Sequence, residues 1–199
     1  MAGDRDVAAF GRRARRYDQG WRGRLHHQIS DRMAGLALAC VPAPRRILDI
    51  GCGTGYLLGV LAAHAPQAES LAGIDAAPEM IEVARGAPTD GRLRFEVGAA
   101  ERLPWPDATF DLVVSTTSFD HWADQQRGLA ECARVLAPGG CLVLADLFSL
   151  LLLPTLLAGR RGKARTRRRA TRLLTAAGLH SPHWHHLYAA IIQAVTDTK

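Results

Sequence analysis

The run Ile47-Leu-Asp-Ile-Gly-Cys-Gly-Thr-Gly55 constrains this chain more than any other feature. It begins as a buried strand and ends with glycine at every second position, Gly51, Gly53 and Gly55, before a helix-like apolar run from Tyr56 to Ala63. Glycine has no Cβ and tolerates positive φ, so such a turn bends sharply and lets a ligand lie against bare backbone. Twenty residues beyond Gly55, a second strand-like run, Leu71-Ala-Gly-Ile-Asp75, ends in a carboxylate. A glycine turn followed by an acid at the end of the next strand is the arrangement that holds an adenosine, the acid taking the two ribose hydroxyls.

The glycine spacing separates two ligand classes. Dinucleotide binders use G-x-G-x-x-G, which aims a helix N-terminus at a pyrophosphate. Here the pattern is Asp49-x-Gly51-x-Gly53-x-Gly55, with an acid on the strand before the turn. That acid repels pyrophosphate and suits a cationic ammonium or sulfonium, which disfavours a dehydrogenase. The run resembles the first motif of the class I S-adenosylmethionine-dependent methyltransferases.

Strand and helix patterns alternate from there: strand 46–50, helix 56–64, strand 70–75, helix 78–86, strand 92–97, strand 110–115, helix 124–136 and, after the turn Pro138-Gly-Gly140, strand 141–146. Alternation of this kind predicts a parallel sheet covered by helices on both faces. Ligands of such sheets bind at the strand C-termini, where Gly51, Asp75 and Ser115 fall. Upstream, Leu25, Ile29, Met33, Leu36 and Cys40 recur at helical spacing until Val41-Pro42 ends the helix.

The resemblance extends beyond the first motif. The run Ala100-Glu-Arg-Leu-Pro-Trp-Pro-Asp-Ala-Thr-Phe-Asp-Leu-Val-Val-Ser115 looks like the family's segment before and through the fourth strand, and Arg134-Val-Leu-Ala-Pro-Gly-Gly-Cys-Leu-Val-Leu144 looks like its last parallel-strand entry. Within the family, the likeness is to the small-molecule methyltransferases of quinone biosynthesis. It implies an α/β, doubly wound, seven-stranded mostly parallel sheet (the Rossmann-like methyltransferase fold) with a helical N-terminal lid. Residues 1–199 would form one domain: a lid over 1–44, a cofactor-binding core over 45–146, and over 147–199 a substrate-side insertion, closing helix and antiparallel strand pair.

The cofactor implied is S-adenosyl-L-methionine, with no metal. By resemblance, Asp49 would hold the methionine ammonium directly or through water, and the backbone at Gly51 and Gly53 would line the methionine and ribose. Asp75 would bind the ribose diol beside Ala76, and Ser115 would close the end of the fourth strand. Many relatives place an acid before the alanine-glutamate pair to receive the adenine amino group; here Ala99 stands there, leaving the backbone at Ala99 and Ala100 and the apolar Met80 and Leu103 for adenine. Tyr17, in Arg16-Tyr-Asp18, either closes a lid over the sulfonium or packs the N-terminal helix. His121, in Ser118-Phe-Asp-His-Trp122, is the candidate general base, or else binds substrate, because an imidazole titrates near neutrality. Asp146 is a second polar candidate. Transfer to oxygen is slightly favoured over carbon or nitrogen, chiefly because His121 could deprotonate a hydroxyl.

Charge is unevenly spread. Residues 1–32 carry eight arginines against four acids, residues 33–146 eight basic against fourteen acidic, and residues 147–199 nine basic against Asp197 alone. Two basic flanks around an acidic core reflect either mutual complementarity of packed segments with solvated helix faces, or attraction of an anionic substrate or a phosphate-bearing carrier. The alternative function is a non-catalytic cofactor-binding protein that contacts RNA or a protein through those flanks. The Arg160–Arg172 cluster has no aromatic interleaved, which makes nucleic acid the weaker reading. The apolar run Leu147–Leu157 predicts a wall for an apolar acceptor, and the histidines at 180, 183, 185 and 186 read as surface or pocket-edge groups without a carboxylate to complete a metal site. No signal peptide or spanning segment is predicted, and Cys40, Cys52, Cys132 and Cys141 read as reduced thiols of a cytoplasmic protein.

Overall fold

The computed structural model describes residues 2–87, 90–148, 166–188 and 192–199. Seven strands form one sheet in the order β3-β2-β1-β4-β5-β7-β6. They are β1 Arg46–Ile50, β2 Ser70–Asp75, β3 Leu93–Val97, β4 Phe110–Thr116, β5 Leu136–Asp146, β6 His183–Tyr188 and β7 Ile192–Thr198. The first five run parallel, and β7 slots antiparallel between β5 and β6. The helix-covered parallel strands are what the alternation predicts, and the seven-stranded, mostly parallel sheet with its antiparallel pair is what the family resemblance implies. Strand order reverses between β1 and β4, and ligands of open α/β sheets bind in the crevice at such a reversal.

Both faces of the sheet are covered because successive strand residues point to opposite sides. Ile47, Leu71, Leu112, Val114 and Val143 pack under α2 (Gly20–Cys40) and α3 (Tyr56–His64). Their neighbours Leu48, Ile50, Ile74, Val113, Leu142 and Leu144 pack under α5 (Gln125–Val135) and α6 (Arg167–Ala176). Helix α4 (Pro78–Gly86) joins the first of these layers through Ile81 and Ala84, with Pro78 in its first turn, where a missing N–H costs nothing. Asp124 caps α5 by accepting from Arg127 N at 3.1 Å, and Thr166 caps α6 by accepting from Arg169 N at 3.2 Å. At the N-terminus, α1 (Ala2–Gly11) and a short 3₁₀ turn, Ala14–Arg16, lead into α2. Among the described residues, no helix is long and apolar enough to cross a membrane.

Two expectations are corrected. The Pro138-Gly-Gly140 segment does not turn the chain before β5, because pairing already begins at Leu136 opposite Phe110 and resumes at Cys141 opposite Leu112. Residues 137–140 are extra length looped out of the ladder, with Gly139 at φ +77° and its N–H donating to Lys199 O. Cys40 and Cys141 are a disulfide, not reduced thiols. They lie 101 residues apart, so nothing local signals the pair, and only the packing of α2 across β5 brings them together. Cys52 and Cys132 are free and buried. Thiol titration of the denatured chain should therefore find two reactive groups before reduction and four after; four before reduction would remove the bond. The run 149–157 and the basic residues 160–165 lie outside the described residues.

Candidate active site

The crevice at the strand-order reversal opens into a cavity of about 570 Å³. Its floor comes from the turn after β1 (Gly51, Gly53), the end of β2 (Asp75, Ala76), Met80 at the start of α4, and Ala99 and Ala100 after β3. Its far wall comes from the loop after β4, with Thr117, Ser118 and His121. Phe10 and Tyr17, from the N-terminal segment, cover it. Nine of the residues singled out in the sequence thus meet in one space: Tyr17, Gly51, Gly53, Asp75, Ala76, Met80, Ala99, Ala100 and His121. Leu103 does not reach it; it is buried, and its N–H donates to Glu131 Oε2 at 2.7 Å. Glu101 lies at the rim and accepts from Asp124 N at 2.9 Å, a structural tie to the start of α5.

Asp75 organises the floor. Its Oδ1 accepts from Ala77 N at 2.8 Å and its Oδ2 from Gly53 N at 2.9 Å. One carboxylate therefore fixes the glycine turn against the start of α4. Burial raises its pKa, opposed by those two amides.

Asp49 lies in an adjoining cavity of about 60 Å³, beside Gly51, Gly53, Thr116 and Thr117, with Tyr17, His26 and Ser30 across it. It is 2% exposed, and its Oδ1 has no hydrogen-bond partner; the buried Thr116 Oγ1 lacks one as well. Buried polar atoms are nearly always paired, so two orphans in one small cavity mark a place built for a polar ligand. Burial, and then the charge of Asp75, push the Asp49 carboxyl up to about 8. A carboxyl whose folded pKa is raised stabilises the fold in full below its unfolded value of 3.8, and that contribution is lost as pH rises through about 8. Asp49→Asn should flatten this part of the stability profile between those limits, as read by melting against pH; an unchanged slope would contradict a buried, proton-holding Asp49.

Ser115 lines neither cavity. It is fully buried one layer behind, 2.8 Å from Ser118 Oγ. Ser118 Oγ also donates to Ile50 O at 3.0 Å and accepts from Trp122 Nε1 at 3.2 Å, so it clamps the end of β1 to the loop that carries His121. Asp146 anchors the same loop from beneath. It accepts from Asp120 N at 2.9 Å and Leu147 N at 2.7 Å, and burial raises it to about 6. His121 sits in the 3₁₀ turn Phe119–His121, its ring edge-on to Phe10 at 5.0 Å.

Sequence reasoning missed Thr116, Thr117, Ser118, His26 and Phe10 as site residues. Thr117 has φ +54°, a conformation uncommon for a β-branched residue and concentrated at functional sites. No residue-type signal marks such a position in advance. Tyr17 lies 3.5 Å from His26 Nε2, and burial pushes its hydroxyl up to about 12, so it stays a neutral donor. His27, 3.0 Å from Asp18 Oδ1, stacks on Tyr56 at 3.7 Å and fastens α2 to α3. Among the described residues, no cluster of three or more His, Cys, Asp or Glu is placed to hold a metal.

A family model described as a methyltransferase domain matches residues 48–144. A demethylmenaquinone methyltransferase of Deinococcus radiodurans is 44% identical over 131 residues, which take in 65% of this chain and 50% of that one. A ubiquinone/menaquinone biosynthesis C-methyltransferase of Geobacter sp. is 34% identical over 167 residues, 76% of this chain and 66% of that one. The 27-O-demethylrifamycin SV methyltransferase of Amycolatopsis mediterranei is 34% identical over 157 residues, 69% and 55% of the two chains. The chain spans about half the length of the curated relatives it matches. Among solved structures, a chain of the complex between the Haloferax volcanii Trm112 methyltransferase activator and a methyltransferase superposes with a TM-score of 0.79 at 23% identity, covering 95% of this chain and 96% of that one. That likeness shows the shared fold.

Proposed function

The chain belongs, through its core at 48–144, to the class I S-adenosylmethionine-dependent methyltransferases, and from that premise we propose that it transfers the cofactor's methyl group to a small organic acceptor. The observation that carries the reading is Asp49: a buried carboxyl group with an unpartnered oxygen, beside a glycine turn that opens into a cavity faced from the other side by an imidazole. A nucleotide pyrophosphate has no place against that acid. An amino-acid ammonium does.

In this reading, Asp49 holds the ammonium, the bare backbone of Gly51 and Gly53 receives the chain between amino acid and ribose, and Asp75 faces the ribose diol. Gly53 fits such a cradle, since a Cβ built on it would meet no protein atom within 4 Å and would project into free space. Ala76, Met80, Ala99 and Ala100 give the adenine an apolar slot with only backbone to read its edge. The bound cofactor supplies an electrophilic methyl carbon. The chain's own task is to align the acceptor with it, keep water out and take up a proton where the acceptor carries one. Phe10 and Tyr17, in a lid formed by residues 1–44, exclude water; the 45–146 core holds the cofactor; and the loop clamped by Ser118 and Asp146 holds His121 toward the acceptor.

The relatives' names split between transfer to carbon and transfer to oxygen. His121 favours oxygen here, because an imidazole nitrogen can accept the proton of a hydroxyl. His121→Ala should slow turnover by about a hundredfold, the usual scale of a positioned base, with cofactor affinity unchanged. Full activity in that variant would leave His121 as part of the wall.

The deciding experiment is calorimetric titration with S-adenosylmethionine, its demethylated product and NAD. Micromolar binding of the two sulfur ligands, and none of NAD, is expected. Binding below pH 8 should release a proton, because a cationic ammonium turns Asp49 from acid to carboxylate. The heat should then vary with the buffer's ionisation enthalpy, and that variation should vanish in Asp49→Asn. Cofactor binding without transfer to any acceptor would instead favour a non-catalytic cofactor-binding protein.

A further inference from the structure

Trp21 stands in the first turn of α2 with 64% of its surface open. Apart from it, Val97 is the one large apolar side chain exposed among the described residues. Six arginines surround Trp21 in the sequence, at 12, 13, 15, 16, 22 and 24, and all six are exposed. Among the described residues, one of these meets a carboxylate, Arg15 with Glu82 at 3.6 Å. Asp18, the acid between them, is taken by His27. The guanidinium of Arg22 lies 5.3 Å from the centre of the Trp21 ring.

Glu79 and Glu82 line a recess with Arg12, Arg15 and Arg16 and offset part of this charge, yet six arginines outnumber them, and a net basic surface favours an anionic partner. An indole held out beside arginines adds a second requirement, a partner with apolar matter just beneath its charge. A bilayer interface meets both, since tryptophan settles at the level of the headgroups while arginine stems snorkel toward the phosphates. Single-stranded nucleic acid meets only the first, because it needs successive aromatic faces for its bases, and here Trp21 stands alone. We propose that the exposed Arg12–Arg24 segment, which carries Trp21, is a peripheral docking surface for an anionic lipid bilayer. Phe10 and Tyr17 of the same N-terminal stretch cover the cavity, so docking brings the cover of the site to the lipid surface. The surface is argued without reference to methyl transfer, and its failure would leave the assigned chemistry intact.

The test is co-sedimentation of the full chain with vesicles of phosphatidylcholine alone and of an equimolar phosphatidylcholine–phosphatidylglycerol mixture. Binding is expected on the mixture only, and it should weaken as salt is added. Each arginine near an anionic surface accounts for roughly a fivefold change in partition. The Arg13→Gln/Arg16→Gln/Arg22→Gln variant should therefore bind about a hundredfold more weakly. Trp21→Ala should abolish the blue shift of tryptophan fluorescence on binding. All four side chains are exposed, and an unchanged melting temperature will confirm that each variant is folded. Arg168→Gln/Arg172→Gln, on α6 at the opposite face of the sheet, should bind as the parent does. The proposal is overturned by absence of binding to the mixture, by an equal loss in the α6 variant, or by tighter binding to a single-stranded RNA oligonucleotide.

Discussion

Replacing Asp75 with alanine should weaken S-adenosylmethionine binding at least tenfold, about 1.4 kcal/mol, measured by calorimetry. Two losses combine in that number. One is the charged acceptor offered to the ribose diol. The other is structural: Gly53 N and Ala77 N both donate to this carboxylate, and alanine leaves the two amides without their acceptor at the wall of the cavity. Asparagine does not restore the site, because its amide presents one oxygen and one NH₂ where two N–H groups converge from different sides. Asp75→Asn should therefore fall close to alanine in affinity. Affinity unchanged in Asp75→Ala would remove the assigned ribose contact.

Gly51→Ala is the largest expected loss of stability. Gly51 has φ +73°, which costs an L-residue about 1–2 kcal/mol. A Cβ there would also overlap the Ser118 side chain. Ser118 cannot swing aside without breaking its bonds to Ile50, Ser115 and Trp122, so overpacking adds about 1–3 kcal/mol. The sum, about 2–5 kcal/mol, is a large share of a domain's stability. Gly53→Ala makes the useful contrast. Gly53 also has positive φ, +54°, yet a Cβ there meets nothing. It should cost only the same backbone penalty, about 1–2 kcal/mol, while placing a methyl where the cofactor is assigned. Denaturant unfolding and calorimetry on the pair should show Gly51→Ala losing mainly stability and Gly53→Ala losing mainly affinity. Equal stability losses in both would mean that Ser118 yields.

Much of this architecture was legible in the chain because it depends on local period. The strand 46–50 and the helices 56–64 and 78–86 were readable to the residue, since each has a strict apolar pattern bounded by glycine or proline. The glycine turn and Asp75 were readable because close backbone approach admits few residue types. What failed did so where the governing contact is remote. Residues 137–140 read as a turn by composition, yet a strand already paired at Leu136 absorbs them as a bulge. Ser115 was placed in the site by its position at the end of a strand, but side chains alternate along β4, and its hydroxyl turns inward to Ser118.

The sequence by itself determined the fold class and the glycine turn with its two flanking acids, because each rests on periodicity or on the chemistry of single residues. Only the tertiary structure decided that Asp49 keeps an unpartnered oxygen in a cavity of its own, that Ser118 and Asp146 hold the loop bearing His121, and that Cys40 reaches Cys141. Those facts depend on which side chains from distant segments converge, and on how completely packing excludes water from them. A one-dimensional pattern carries neither.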